Sequence, residues 1–133
     1  MSVVLDTQVL LILYMGEKGA DRVSNLLVQI LEGKIKGYMN VVNLAELYYI
    51  LARKSRKVAD EKERNLRSFG IKIVPVQDGD DLWKEAAILK ASHALSIADA
   101  FAAATAKTLR SRLVTGSDPE FEEIHGVQIE RIG

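Results

Sequence analysis

Four acids stand where a helix is about to begin or has just begun: Asp6, Glu46, Asp99 and Asp118. Asp6, Glu46 and Asp118 follow short apolar runs that read as strands, and Asp99 falls in the first turn of an alanine-rich helix. Taken singly, each is explained by capping. Asp6 has the place of an N-cap, Asn43-x-x-Glu46 and Ser96-x-x-Asp99 have capping-box spacing, and Asp118-Pro119-Glu120 is a cap followed by proline at the first helical position. Their joint placement supports a second reading. In an open parallel sheet the strand C-terminal ends face a crevice near the switch in strand order, and acids that follow several strands can converge there. Crowded carboxylates repel one another in a partly dry cleft unless a divalent cation neutralises them. An all-oxygen set suits magnesium or manganese rather than zinc.

The elements that must position these acids follow from periodicity. Ser2 to Leu5 reads as a buried strand, Tyr38 to Val42 as a second, Ile71 to Val76 as a third with Pro75 favouring an edge or terminal position, Leu113 to Thr115 as a fourth, and Val127 to Ile132 as an alternating edge strand. Helices are expected from Leu10 to Met15, Ala20 to Leu31, Asn43 to about Lys54, Val58 to Phe69, Asp80 to His93, Ser96 to Arg110, and briefly from Asp118 to Ile124. Strands alternating with helices predict an α/β fold. The expected form is a three-layer α/β/α sandwich around a mostly parallel, about five-stranded sheet. No repeat, linker or low-complexity tract divides residues 1–133, so one domain is expected.

Composition narrows the chemistry. The 133 residues include 18 basic and 18 acidic side chains, two histidines and no cysteine. A thiol nucleophile, an iron–sulfur site, a zinc finger and a redox pair are therefore excluded. The longest unbroken apolar stretch, Val9 to Met15, is far below the ~20 residues of a membrane span, and no basic segment precedes the first apolar run. A soluble, unprocessed cytoplasmic protein without membrane contact is expected. The neutral total conceals an asymmetry: Arg53 to Lys72 carries net +5, whereas Gly116 to Gly133 carries net −4. A local basic patch can hold a phosphate backbone even on a neutral protein, although a solvated helical face explains the same charges.

The sequence around the acids resembles the PIN-domain ribonucleases, and specifically the toxin-like members of the VapC type, over nearly its whole length. Val3-Val4-Leu5-Asp6-Thr7 is similar to the opening strand and first acid of that family, and Asn43-Leu44-Ala45-Glu46-Leu47 to its second acidic motif. Leu95-Ser96-Ile97-Ala98-Asp99-Ala100 with Ala103-Ala104-Thr105-Ala106 is similar to the third, the most specific of the set. Leu113-Val114-Thr115-Gly116-Ser117-Asp118-Pro119-Glu120-Phe121 resembles the last, but with Gly116-Ser117 where the common form brings the acid one step closer to the threonine. The resemblance implies a PIN-like fold and a Mg2+- or Mn2+-dependent endoribonuclease. In it Asp6, Glu46, Asp99 and Asp118 hold metal, and Thr7, Asn43 and Ser117 orient the carboxylates through hydrogen bonds, with plain helix capping an equal reading of Thr7 and Asn43. It also implies RNA as substrate, a small antitoxin as partner and a homodimer. A non-catalytic PIN-like domain that binds RNA or protein, and a stand-alone RNA-processing nuclease, are the competing readings. A phosphoacceptor receiver domain fits less well, because Asp6 stands alone after the first strand.

Other residues carry weaker signals. Arg53, Lys54, Arg56 and Lys57 are the candidates for RNA phosphate contacts. Of Tyr48 and Tyr49, one is expected to pack inward while the other is placed to stack on a base at the crevice rim. His93 sits at a helix end where it interacts with the dipole, and His125 lies in an acidic loop. Asp78, Asp80 and Asp81 read as turn and cap residues. Trp83 is expected in the core or at an interface.

Overall fold

The computed structural model describes residues 1–116 and 124–133. Its strands are β1 (Ser2–Leu5), β2 (Lys36–Asn40), β3 (Lys72–Val74), β4 (Arg112–Thr115) and β5 (Ile129–Arg131). Between them lie α1 (Thr7–Tyr14), α2 (Ala20–Leu31), α3 (Val41–Ala52), α4 (Arg56–Ser68), α5 (Leu82–Ser92) and α6 (Ile97–Leu109). All four strand pairings are parallel, in the order β3-β2-β1-β4-β5. The chain steps outward from β1 through β2 to β3, then returns to lay β4 against the other side of β1. The switch in strand order therefore falls between β1 and β4, and the acid that follows β1 opens onto it.

A strand covered on both faces needs apolar side chains on both, and β1 supplies them from Val3 to Leu5. Val3 and Leu5 join the cluster built by α1, α2, α3 and α4, while Val4 points into the cluster built by α5 and α6. The expected three layers are thus present. Alanine at Ala100, Ala102, Ala103, Ala104 and Ala106 is wholly or almost wholly buried. The slim α6 can then touch α3, α5 and strands β1, β2 and β4 at once. The same economy of space appears at Gly37, where a Cβ would lie 2.6 Å from Ile30 Cδ1 of α2.

The helix over Ala20 to Leu31 coincides with expectation, and β3 and β5 are the sheet edges, as Pro75 and the alternating pattern suggest. Two expectations need correction. The second strand was expected at Tyr38 to Val42 with a helix opening at Asn43, but it ends at Asn40 and α3 has already begun at Val41. Asn40, which is fully buried, is the N-cap: its side-chain oxygen accepts the Val42 N–H at 2.8 Å, which overrides the strand preference of Val41 and Val42. The Asn43-x-x-Glu46 capping box therefore does not exist. Of the core and interface positions expected for Trp83, the core is overturned: the side chain is exposed, and its indole N–H donates to the Asp78 carbonyl at 3.3 Å, while Leu82, Ala86 and Leu89 form the buried stripe of α5. The short helix expected from Asp118 to Ile124 lies outside the described residues, apart from the buried Ile124.

Candidate active site

The site is built on a carboxylate that does two jobs. Asp6 Oδ1 accepts the Val9 N–H at 3.0 Å, capping α1, and Oδ2 accepts the hydroxyl of Thr115, the last residue of β4. The side chain therefore spans the β1/β4 switch point. Only about 2% of Asp6 is exposed. Burial pushes its carboxyl from the ordinary 3.8 up to about 6 despite the hydrogen bonds from Thr115 and from the Val9 and Gln8 backbone, and the Glu46 charge pushes it in the same direction. Glu46 thus lies close enough to Asp6 to be felt. With the capping box gone, its position in the second turn of α3 has no capping explanation.

Two hydrogen bonds fasten together the three helices that carry the acids. Thr7 Oγ1 donates to the Asn43 carbonyl at 3.0 Å, fastening α1 to α3, and Asn43 Nδ2 donates to the Ala98 carbonyl at 3.0 Å, fastening α3 to the first turn of α6. Asp99 follows Ala98, and its own N–H is capped by Ser96 Oγ at 3.1 Å. Thr7 and Asn43 therefore do not cap helices; they brace the three acid-bearing segments against one another. Asn43 Oδ1 is buried and accepts no hydrogen bond among the described residues.

The profile of the PIN domain matches residues 3–127. The chain belongs to the PIN domain family. Among curated proteins none matches it. Among solved structures, a chain of VapBC2 from Rickettsia felis, crystallised bound to a DNA fragment from their promoter, is similar with a TM-score of 0.79 at 18% identity, covering 100% of both chains. FitAcB from Neisseria gonorrhoeae is similar with a TM-score of 0.66 at 22% identity over 96% of this chain and 95% of that one. VapC20 from Mycobacterium tuberculosis, a sarcin–ricin loop cleaving toxin, is similar with a TM-score of 0.64 at 15% identity over 84% and 86%. At these identities the likeness is one of fold.

Within this PIN domain, the Glu46 charge reaches Asp6, and the turn that carries Asp99 is fastened to α3 by the bond from Asn43 to the Ala98 carbonyl. Asp118 and Ser117 lie outside the described residues. Among the described residues, no group of three or more acids and histidines could hold one metal ion. The donor chemistry nevertheless fits a hard cation: a buried carboxyl whose charge burial disfavours, a second acid within its field, and an orphaned amide oxygen braced between their segments. Magnesium keeps several waters and takes few protein oxygens, so such a set suffices.

Sequence reasoning quoted Thr115 but gave it no role, and missed Asn40 altogether. Asn40 Nδ2 donates to Thr105 Oγ1 at 3.0 Å, which in turn donates to the Phe101 carbonyl at 2.7 Å, so a buried polar chain locks the start of α3 to α6. Its signal was an asparagine directly before an apolar pair, masked by the competing Asn43. Gln8 is the other omission. Its side chain lies over Gly116, where a Cβ would come within 2.5 Å of Oε1, so the glycine makes room for it beside Thr115. Arg53, Lys54, Arg56 and Lys57 are all exposed at the α3–α4 corner. Among the remaining candidates, Asp80 accepts the Leu82 N–H at 3.1 Å as a turn residue, His93 Nδ1 lies 3.0 Å from the Leu89 carbonyl at the end of α5, and His125 is exposed.

Proposed function

We propose that this PIN domain, taken as the single unit 1–133, is a Mg2+- or Mn2+-dependent endoribonuclease and the toxin of a toxin–antitoxin pair. It acts in the cytoplasm as a homodimer held in check by a small antitoxin. The observation that carries the reading is Asp6: a buried, charge-disfavoured carboxyl fixed at the switch point by Thr115 and Val9, with Glu46 in its field and Asp99 braced to the same corner. The likeness to VapC-type and Fit-type chains supports the toxin assignment, and the absence among the described residues of any helix long and apolar enough to cross a membrane is compatible with it.

Asp6, Glu46, Asp99 and Asp118 are the residues that would hold the ion. Once bound, it supplies the positive charge that makes an attacking water acidic near neutral pH and stabilises the departing oxygen. The chain's own part is positioning. Thr115 and the α1 backbone fix the Asp6 carboxylate, so that it need not reorganise when charge develops. Thr7 and Asn43 keep α1, α3 and α6 in register, and Ser117 is assigned the same kind of support for Asp118. No side-chain nucleophile is required, in keeping with a chain that has no cysteine.

The test is cleavage of labelled single-stranded and structured RNAs with Mn2+ or Mg2+, with chelator, and with Asp6→Asn and Asp99→Asn proteins alongside. Metal-dependent cutting lost in both variants is the expected result. In chelator, Asp99→Asn should melt no lower than the wild type, because asparagine keeps the volume and removes a repelling charge. Folded wild-type protein that binds metal and RNA but cuts none would establish the non-catalytic alternative instead.

A further inference from the structure

We propose that Tyr49, backed by Arg53, is a stacking platform for an unpaired base at the rim of the acid-bearing crevice. The inference rests on the nuclease reading and adds to it the residue pair that holds the base.

Adjacent tyrosines on a helix point about 100° apart, and the structure divides them. Tyr48 turns toward α4, where its hydroxyl donates to Asp60 at 2.7 Å. Tyr49 is left 47% exposed. It lies three residues beyond Glu46, on the same helix surface and about 4.5 Å further along the axis. A strand that passes Glu46 can therefore reach the Tyr49 ring one helical turn away. The Arg53 guanidinium sits over the ring with its carbon 4.8 Å from the centroid. Arginine there stiffens the ring, adds positive charge to a contact with a π-face, and keeps its remaining N–H groups for a phosphate.

The surroundings favour RNA as the occupant. Lys54, Arg56 and Lys57 extend the positive charge from Arg53 along the exposed corner, whereas two of the nearby acids are engaged, Asp60 by Tyr48 and Glu63 by Arg67 at 3.0 Å. Among the described aromatic side chains only Trp83 is also exposed, and it belongs to α5 on the opposite face of the sheet. A base inside a duplex shows no free face to an aromatic ring, so a stacking platform selects unpaired nucleotides.

The experiment uses the Asp99→Asn protein, so that RNA stays intact, and an oligonucleotide carrying a fluorescent base analogue, free or annealed to its complement. Adding Tyr49→Ala should weaken binding of the single strand by roughly tenfold or more, abolish quenching of the base, and leave both the salt dependence and duplex binding unchanged. Tyr49→Phe should bind within about twofold of the parent, because the face and not the hydroxyl is used. Equal affinity of the alanine and parent proteins overturns the inference. So does equal loss on single strand and duplex, or a change in oligomeric state with RNA affinity intact, which would make this face a contact between copies. Wild type that cuts no RNA yet quenches the base through Tyr49 would sink the nuclease reading alone; wild type that cuts as well as Tyr49→Ala would sink this inference alone.

Discussion

At the scale of single residues the decisive group is Asp6, because one side chain serves folding and chemistry at cross purposes. Its two oxygens cap α1 and bind Thr115, yet burial makes its charge unfavourable. A carboxyl raised in the folded protein from 3.8 to about 6 holds a proton that the unfolded chain has already released. Its stabilising share is therefore complete below about pH 4 and is lost as the pH rises through about 6, amounting to roughly 3 kcal/mol by pH 7. In chelator the wild type should accordingly lose thermal stability between pH 4 and pH 7 relative to Asp6→Asn, which still caps the helix. Manganese at neutral pH should recover the wild type and leave the variant unmoved. Parallel melting profiles of the two proteins across that range would refute the assigned burial cost.

At the scale of elements, the corner where β2 becomes α3 sets the spacing of the site. Asn40 ends the strand, caps the helix and, through Thr105, reaches α6. Truncating it to alanine removes a cap and a buried hydrogen bond together, and should cost about 2–3 kcal/mol in urea unfolding. Thr105→Val should cost less, and the double variant less than the sum, since the two residues share one bond. Strict additivity would show that the bond contributes nothing. The register of α3 also decides which residues face the crevice. Starting the helix at Val41 puts Asn43 in its first turn, free to bridge Thr7 and Ala98, and leaves Glu46 with no capping role.

At the scale of the whole molecule, four exposed cations, Arg53, Lys54, Arg56 and Lys57, share the α3–α4 corner, with Arg53 about two helical turns beyond Glu46. Long-range attraction of a polyanion toward that corner should be carried by exposed cations rather than by the site. Reversing Lys54 and Lys57 to glutamate should weaken binding of single-stranded RNA and reduce the magnitude of its log–log salt slope by roughly 1.4, the release of two counterions. An unchanged slope would remove both lysines from the RNA path. What the sequence alone determined is what depends on local spacing: the alternation of strands and helices, the buried β1, the bounds of α2, the Ser96 cap and the places of Asp6 and Asp99 at helix starts. Periodicity and capping are properties of neighbouring residues, so they survive without the fold. The tertiary structure decided the rest. Val41 and Val42 are helical because Asn40 and not Asn43 is the cap, and the Asn40 side chain is held by Thr105, 65 positions away; whether Tyr48 or Tyr49 faced outward depended on Asp60 of another helix. Whether Asp6 was a plain cap or a charge-burdened carboxyl depended on Thr115, 109 positions away, and on the depth at which the sheet buries both. Hydrogen bonds and desolvation of this kind arise between segments brought together only by folding, and no local pattern encodes them.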